Sequence, residues 1–224
     1  MNTELARFNM IEQQIRPWDV LDAQVLELLA RVKREDFVPA EHKPLAFVDT
    51  QVPLLPGQPR GPAMLEPKVE ARLLQALQVQ QHESVLEIGC GSGFMAALLA
   101  HRAQTVVTME CRPLLARRAR ENLARAGLEA VRVFECRASD GGRGLPAEAP
   151  FDVIVLSGSV AEVPSALLHQ LKPGGRLVAI VGQEPVMRAC LYTRTGEAAW
   201  AKTDLFDTVA PRLEGFSEPT GFRF

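Results

Sequence analysis

Hydrophobic positions along this chain change period twice. From Asn2 to Arg34, Val20, Leu21, Val25, Leu26, Leu28, Leu29 and Val32 fall near helical spacing after a break at Pro17, which predicts two helices before Asp36. Residues Phe37 to Pro67 hold seven of the sixteen prolines and little periodicity, so an irregular loop is expected there, with a short strand at Phe47 to Val52. Ordered loops of this length usually carry function. A helix follows from Glu66 to Leu77. From Ser84 onward the chain alternates: VLEI as strand, FMAALLA as helix, TVVTME as strand, PLLARRARENLARAG as helix and VRVFEC as strand. A strand at Phe151 to Leu156, a helix near Ser165 to Leu171, a Pro-Gly-Gly turn at Pro173 to Gly175 and a strand at Arg176 to Val181 continue it. Strands alternating with helices predict a doubly wound, mostly parallel α/β sheet of Rossmann-like type. CLYTRT and DLFDTVA resume strand patterning, suited to an antiparallel hairpin at the sheet edge.

Composition narrows the classes. A chain of 224 residues with 47% hydrophobic content can bury a substantial core. The expected organisation is residues 1–67 as N-terminal helices and a substrate-side loop, attached to an α/β domain over 68–224 as one structural unit. A net charge of −2 and a pI near 6.1 offer no footprint for a phosphate backbone or an anionic membrane surface, which argues against nucleic acid and membrane partners. The opening residues carry charges and amides where a secretory signal needs an apolar core, so a cytoplasmic protein is expected. Cys90, Cys111, Cys136 and Cys190 form no C-x-x-C pair and no pairing with nearby histidines, so neither a disulfide framework nor a metal site is expected.

The chemistry concentrates at Val85 to Gly93, Val-Leu-Glu-Ile-Gly-Cys-Gly-Ser-Gly. Glycines at 89, 91 and 93 allow a tight turn and close approach to a ligand, and a helix from Phe94 presents free amides at its start. A dinucleotide fingerprint would need glycine or alanine where Phe94 stands, and Glu87, two residues before the first glycine, would repel a pyrophosphate. An acid there suits S-adenosylmethionine, which carries an ammonium and a sulfonium and no phosphate. The next strand ends at Glu110, about 20 residues past the glycine loop, where a carboxylate can accept both ribose hydroxyls. The third strand runs into Ser139-Asp140-Gly141, where Asp140 can accept from an adenine amino group. Glu87, Gly89, Gly91, Gly93, Glu110, Asp140 and Gly141 are therefore the candidate cofactor-binding residues, with S-adenosylhomocysteine as the product left behind.

Arg34-Glu35-Asp36-Phe37-Val38-Pro39, Val85 to Gly93, Ser139-Asp140-Gly141, Ala149-Pro150-Phe151-Asp152 and Gln170 to Val178 occur in the order seen in protein-L-isoaspartate O-methyltransferases, which this chain resembles over roughly residues 20 to 185. The resemblance implies a class I methyltransferase fold with a reversed edge strand, S-adenosylmethionine as methyl donor, and repair of isoaspartyl residues in damaged proteins by carboxylate methylation. By position, Glu87, the three glycines, Glu110 and Asp140 would be cofactor ligands.

One departure stands out. The family carries Thr-Ile-Ser just before the first helix of its catalytic core, and that serine lines its active site. Here Ala63-Met64-Leu65 or Pro59-Arg60-Gly61 stands in its place, depending on the end from which the segments are aligned. No alignment restores a hydroxyl, because no serine precedes Ser84 and the earlier threonines are Thr3 and Thr50. Arg60, Gly61, Met64 and Leu65 thus become the candidate substrate-side loop, where leucine or glycine cannot play the role of a hydrogen-bonding hydroxyl.

A carboxylate acceptor is ionised at neutral pH and needs no general base, so no catalytic residue is assigned; an alcohol would need one, and His42 is the histidine nearest the loop. Cys90, Cys111 and Cys136 fall at strand ends, as small apolar fillers or as a redox gate. Arg112, Arg117, Arg118, Arg120 and Arg125 are expected on a solvated helix face. Trp18 either closes over a substrate or anchors the N-terminal helices. Two rival functions remain: a methyltransferase with a small-molecule or other carboxylate acceptor, and a non-catalytic S-adenosylmethionine-binding protein. The sequence leaves the oligomeric state open.

Overall fold

The computed structural model describes residues 2–58 and 61–218. Two N-terminal helices form as expected. In α1 (Thr3–Met10) the Asn2 side chain caps the Glu4 and Leu5 amides at 3.1 and 3.2 Å, and the helix runs on through a π turn at Ile11–Ile15 and a 3-10 turn at Arg16–Trp18. In α2 (Ala23–Arg31) Asp22 plays the capping role. The Pro-rich stretch contains a two-stranded ladder, β1 (Val52–Pro53) with β2 (Ala63–Met64). The strand expected at Phe47 to Val52 therefore begins only at its last residue. The polypeptide from Phe47 to Thr50 turns instead, closed by hydrogen bonds such as Val48 N to Leu45 O at 3.1 Å.

Helix α3 (Pro67–Leu77) starts on a proline, whose missing N–H is free of cost in the first turn. The alternating section follows: β3 (Ser84–Ile88), α4 (Phe94–Ala100), β4 (Thr105–Glu110), α5 (Pro113–Arg125), β5 (Arg132–Glu135), β6 (Phe151–Val160), α6 (Ser165–Leu168), β7 (Leu171–Gln183), β8 (Val186–Gly196) and β9 (Ala199–Thr208). Helix α6 is shorter than the spacing predicts. Strand β7 starts earlier, because the Pro-Gly-Gly turn is absorbed as an irregularity between the Phe151–Leu171 and Val153–Arg176 pairs.

The seven strands lie in the order β5-β4-β3-β6-β7-β8-β9. The first five are parallel; β8 is reversed, and β9 closes the expected edge hairpin. Successive residues of β3 bury on opposite faces, Val85 in one apolar cluster and Leu86 and Ile88 in the other, so a continuous apolar run is what a central parallel strand requires. Residues of α3, α4 and α5 and of the N-terminal helices share the first cluster; α6 and the segment after β5 cover the second. No helix among the described residues is long and apolar enough to cross a membrane.

The N-terminal segment is tied to the α/β layers by two anchors. Arg34, 1% exposed, pairs with Glu70 of α3 and donates from Nη2 to the Leu65 carbonyl at 2.8 Å. Trp18 meets Phe206 of β9 edge to face at 5.9 Å under the Lys68 ammonium, 4.2 Å from its ring centre, and its carbonyl accepts from Arg72. Trp18 is an anchor rather than a cover.

Candidate active site

The chain order reverses on either side of β3: β4 and β5 lie to one side, β6 and β7 to the other. A crevice outside the carboxyl ends of β3 and β6 is where open α/β sheets take ligands. Gly89, Gly91 and Gly93 have φ of 91°, 55° and 84°, and the amides of Gly89 and Cys90 both donate to the Met109 carbonyl, which pins the turn to the end of β4. Gly93 is the residue before α4, so the turn hands over directly to a helix start.

The three predicted acids occupy different layers. Glu110, 5% exposed, lines the crevice; its Oε2 accepts from Gly91 N at 2.8 Å and its Oε1 from Arg112 N at 3.0 Å. It shapes the glycine turn while keeping lone pairs toward the ligand space. Glu87 lies beneath the turn with no exposure. Its Oε1 accepts from Ser157 Oγ and its Oε2 from Thr108 Oγ1, both at 2.7 Å. Burial pushes this carboxyl up to about 7, with both hydroxyls pulling the other way. Ser157 lines the crevice and so couples Glu87 to it. Asp140 is turned away: its Oδ2 accepts from Arg137 N at 3.2 Å and closes a capping box on the 3-10 turn Ala138–Arg143. The wall at that strand end is Ala138 and Gly141.

The substrate-side loop differs from expectation. Met64 and Leu65 are core residues, 4% and 3% exposed, because Arg34 holds the Leu65 carbonyl and draws both side chains inward; they border a crevice below the glycine turn with Glu70 and Glu87. Gly61 and Ala63 face the ligand space instead, beside Leu54. Arg60 lies outside the described residues. His42 is in a 3-10 turn at Ala40–Leu45 and lines neither crevice.

Sequence patterns missed the C-terminal strap. Pro211, Arg212, Leu213, Glu214 and Phe216 all line the crevice. The strap is stitched beside the end of β6 by Ser159 N to Pro211 O, Leu213 N to Ser159 O and Ser159 Oγ to Ala210 O, at 2.8 to 2.9 Å. Glu214 pairs with Arg112, whose Nη1 also donates to Gln58 Oε1 at 3.1 Å, so one guanidinium joins the strap to the Pro-rich loop. Short, non-periodic and past the last strand, the strap carries no pattern that could have marked it. The basic face of α5 is also more than solvated. Arg118 and Arg120 donate to the carbonyls of Leu54 and Val133, while Arg117 stays in solvent.

Cys111 and Cys136 line the crevice; Cys90 is buried under the turn. Burial and the neighbouring Glu110 push Cys111 up to about 12, and burial raises Cys136 and Cys90 as well. Such thiols stay protonated, as packing residues do.

The sequence profile of the protein-L-isoaspartate (D-aspartate) O-methyltransferase family matches residues 6–209. The chain belongs to this family. Curated protein-L-isoaspartate O-methyltransferases from Rhodopseudomonas palustris and Koribacter versatilis are 40% and 38% identical to it, over 94% and 91% of this chain and 95% and 88% of theirs. One from Methanoculleus marisnigri is 43% identical over 79% of this chain and 77% of its own. A Plasmodium falciparum protein-L-isoaspartate O-methyltransferase, solved in complex with S-adenosyl-L-homocysteine, superposes with a TM-score of 0.78 at 18% identity, covering 93% of this chain and 98% of that one. That solved structure shares the fold of this methyltransferase family member, whose sheet has seven strands with the edge reversed.

Proposed function

We propose that this chain transfers the methyl group of S-adenosylmethionine to the free carboxylate of isoaspartyl residues in proteins. The observation that carries the reading is family membership over residues 6–209 combined with an acid-floored glycine turn, which suits a cationic donor and opposes a phosphate-bearing one. In this assignment Glu110 accepts the ribose hydroxyls, the Gly89 to Gly93 turn lies against the methionine moiety, and Ala138 and Gly141 flank the adenine. Glu87 acts through Ser157. Asp140 keeps Oδ2 on Arg137 N and has Oδ1 left to accept from the adenine amino group, or else positions Gly141.

The residues present fit the donor, and when bound it supplies an electrophilic methyl on a positively charged sulfur. A carboxylate attacking that methyl destroys one positive and one negative charge, so the protein has no developing charge to stabilise and no proton to remove. Its task is to hold the two ions dry and in line. The strap, the Pro-rich loop and the Arg112 bridge serve that exclusion of water. A cytoplasmic protein substrate, with no nucleic acid or membrane partner, completes the proposal.

A different acceptor is the second reading. It is favoured by one observation: the two residues that can stand at the family's serine position are the buried Leu65 and Gly61, so the loop offers the acceptor no hydroxyl. Transfer of labelled methyl to a short isoaspartyl peptide, beside its aspartyl isomer, separates the two. Selective labelling supports isoaspartyl repair, and no labelling with donor bound overturns it.

A further inference from the structure

Resting on the isoaspartyl reading, we infer that Arg212 is the residue that recognises the acceptor's carboxylate and so replaces the missing hydroxyl. Arg212 stands where two cavities meet. It lines the donor crevice together with Gly89 and Ser157, and it lines a neighbouring cleft of about 450 Å³ walled by Gln51, Met187 and Val209. Gly61, Ala63 and Pro211 also line both, so the two spaces share a wall built from the strap and the Pro-rich loop.

Its backbone is fixed. Residue 212 bridges to Ser159 as an isolated parallel pair, and the amides and carbonyls on either side are bonded to the same serine. The guanidinium is partly spent. Nε pairs with Glu218 Oε1 at 2.9 Å, and Nη2 donates to the Gly182 carbonyl at 2.9 Å. Nη1 is buried and has no hydrogen-bond partner among the described residues. A buried cationic N–H without a partner is costly, and an anionic oxygen is the group that best relieves it.

Nη1 is the guanidinium nitrogen without a partner among the described residues, so the contact is assigned to it alone, one nitrogen to one oxygen. That suits a nucleophile: one carboxylate oxygen is held by Nη1 while the other remains unbonded and can attack the methyl. A fork-on-fork grip would occupy both oxygens and blunt the attack. Glu218 offsets part of the arginine's charge, which lets the carboxylate be oriented without being strongly stabilised. Arg212 is thus a specificity-determining residue for a carboxylate-bearing peptide, supplied by the strap rather than by the loop.

The test titrates protein loaded with S-adenosylhomocysteine with an isoaspartyl hexapeptide and with the same peptide carrying a neutral amide in place of the free carboxylate. Wild type is expected to prefer the carboxylate by about 10- to 100-fold. Arg212→Gln should bring the two affinities within about threefold in protein that still binds S-adenosylhomocysteine. Arg212→Lys should restore part of the preference. Glu218→Gln, an exposed change that removes the offsetting charge, should raise it several-fold, which keeps the test decisive if Arg212→Gln misfolds. A selective wild type whose Arg212→Gln keeps the full ratio, or whose Glu218→Gln leaves it unchanged, overturns the assignment of Arg212 alone. A wild type that binds and methylates neither peptide overturns the isoaspartyl reading and this inference with it.

Discussion

Glu87→Gln should stabilise this protein progressively as pH rises. The wild-type carboxyl moves from its ordinary 4.5 to about 7 because it is fully buried, against the pull of the Ser157 and Thr108 hydroxyls. A carboxyl whose folded pKa is raised leaves stability intact below the unfolded value and removes it as pH climbs toward the folded one. Between those limits the folded state holds a proton that the unfolded chain has released. The penalty is under about 1 kcal/mol at pH 5, about 2 at pH 6 and about 3 at pH 7, and it is nearly flat beyond.

Glutamine keeps the shape and never ionises. One hydroxyl that donated must rotate to accept from its NH₂, a rearrangement worth about 1 kcal/mol that does not vary with pH. The difference in stability between variant and wild type should therefore grow by about 2 to 3 kcal/mol from pH 5 to pH 8, which is roughly 5 to 10 °C in Tm for a chain of this size. Urea melts at pH 5, 6, 7 and 8 read this directly; Glu70, also pushed up to about 7 by burial and opposed by Arg34, titrates in both proteins, and only its smaller charge coupling to Glu87 is lost in the variant. Parallel stability curves would refute the reasoning. The same carboxylate makes a second demand: a cationic donor favours its ionised form, so binding near pH 7 should release part of a proton in wild type and none in Glu87→Gln. Calorimetry in buffers of different ionisation enthalpy measures that release.

Other substitutions separate the layers of the site. Glu110→Ala should weaken donor binding by at least about 10-fold, because it removes the proposed ribose acceptor and unties the Gly91 and Arg112 amides together. Asp140→Ala should cost less, about 1 kcal/mol of local capping, with a smaller loss of donor affinity by isothermal titration; full affinity in both variants would sink the site assignment. Gly89→Ala should abolish donor binding, since φ is +91° and the added methyl would stand 2.6 Å from Leu213 Cδ2. Arg34→Met, read by urea melts, should cost about 3 to 5 kcal/mol by leaving Glu70 buried without its partner. Leu65→Ser should destabilise without raising isoaspartyl activity, because the side chain is in the core. Ala63→Thr returns a hydroxyl to the wall that faces both cavities and should lower KM for the peptide.

Much of this arrangement was legible because periodicity reports burial. The runs at 85–88, 105–110 and 151–156 had to be parallel strands, since both of their faces are apolar, and Glu87 and Glu110 were noticeable as acids interrupting such runs. What periodicity cannot report is direction within a turn. Asp140 and Gly141 are neighbours in sequence, yet one caps its own turn and the other forms the wall. Met64 and Leu65 were placed beside the acceptor by alignment to a motif, but an apolar side chain next to a carbonyl held by buried Arg34 goes to the core. The strap had no signal of its own. Its role depends on Ser159, more than fifty residues earlier, and contacts of that separation leave no local trace.

The strap also changes what the glycines mean. A methyl at Gly89 or Gly158 would meet Leu213 within 3 Å, and one at Gly141 would meet the Phe216 ring at 3.1 Å. Gly158 is thus closed in by the strap's backbone as well, and Gly89 and Gly141 by its side chains, quite apart from any ligand. A glycine loop read only as a cradle for a cofactor would predict that small residues are tolerated wherever the ligand leaves room. Here the space is already taken by the molecule's own C-terminal segment. Donor and strap must therefore pack against the same backbone, and whatever displaces Leu213 or Phe216 loosens both the water seal over the sulfonium and the seating of Arg212. If Arg212 reads the acceptor, donor binding and acceptor recognition are coupled through the strap from Pro211 to Phe216, beyond the last strand of the sheet.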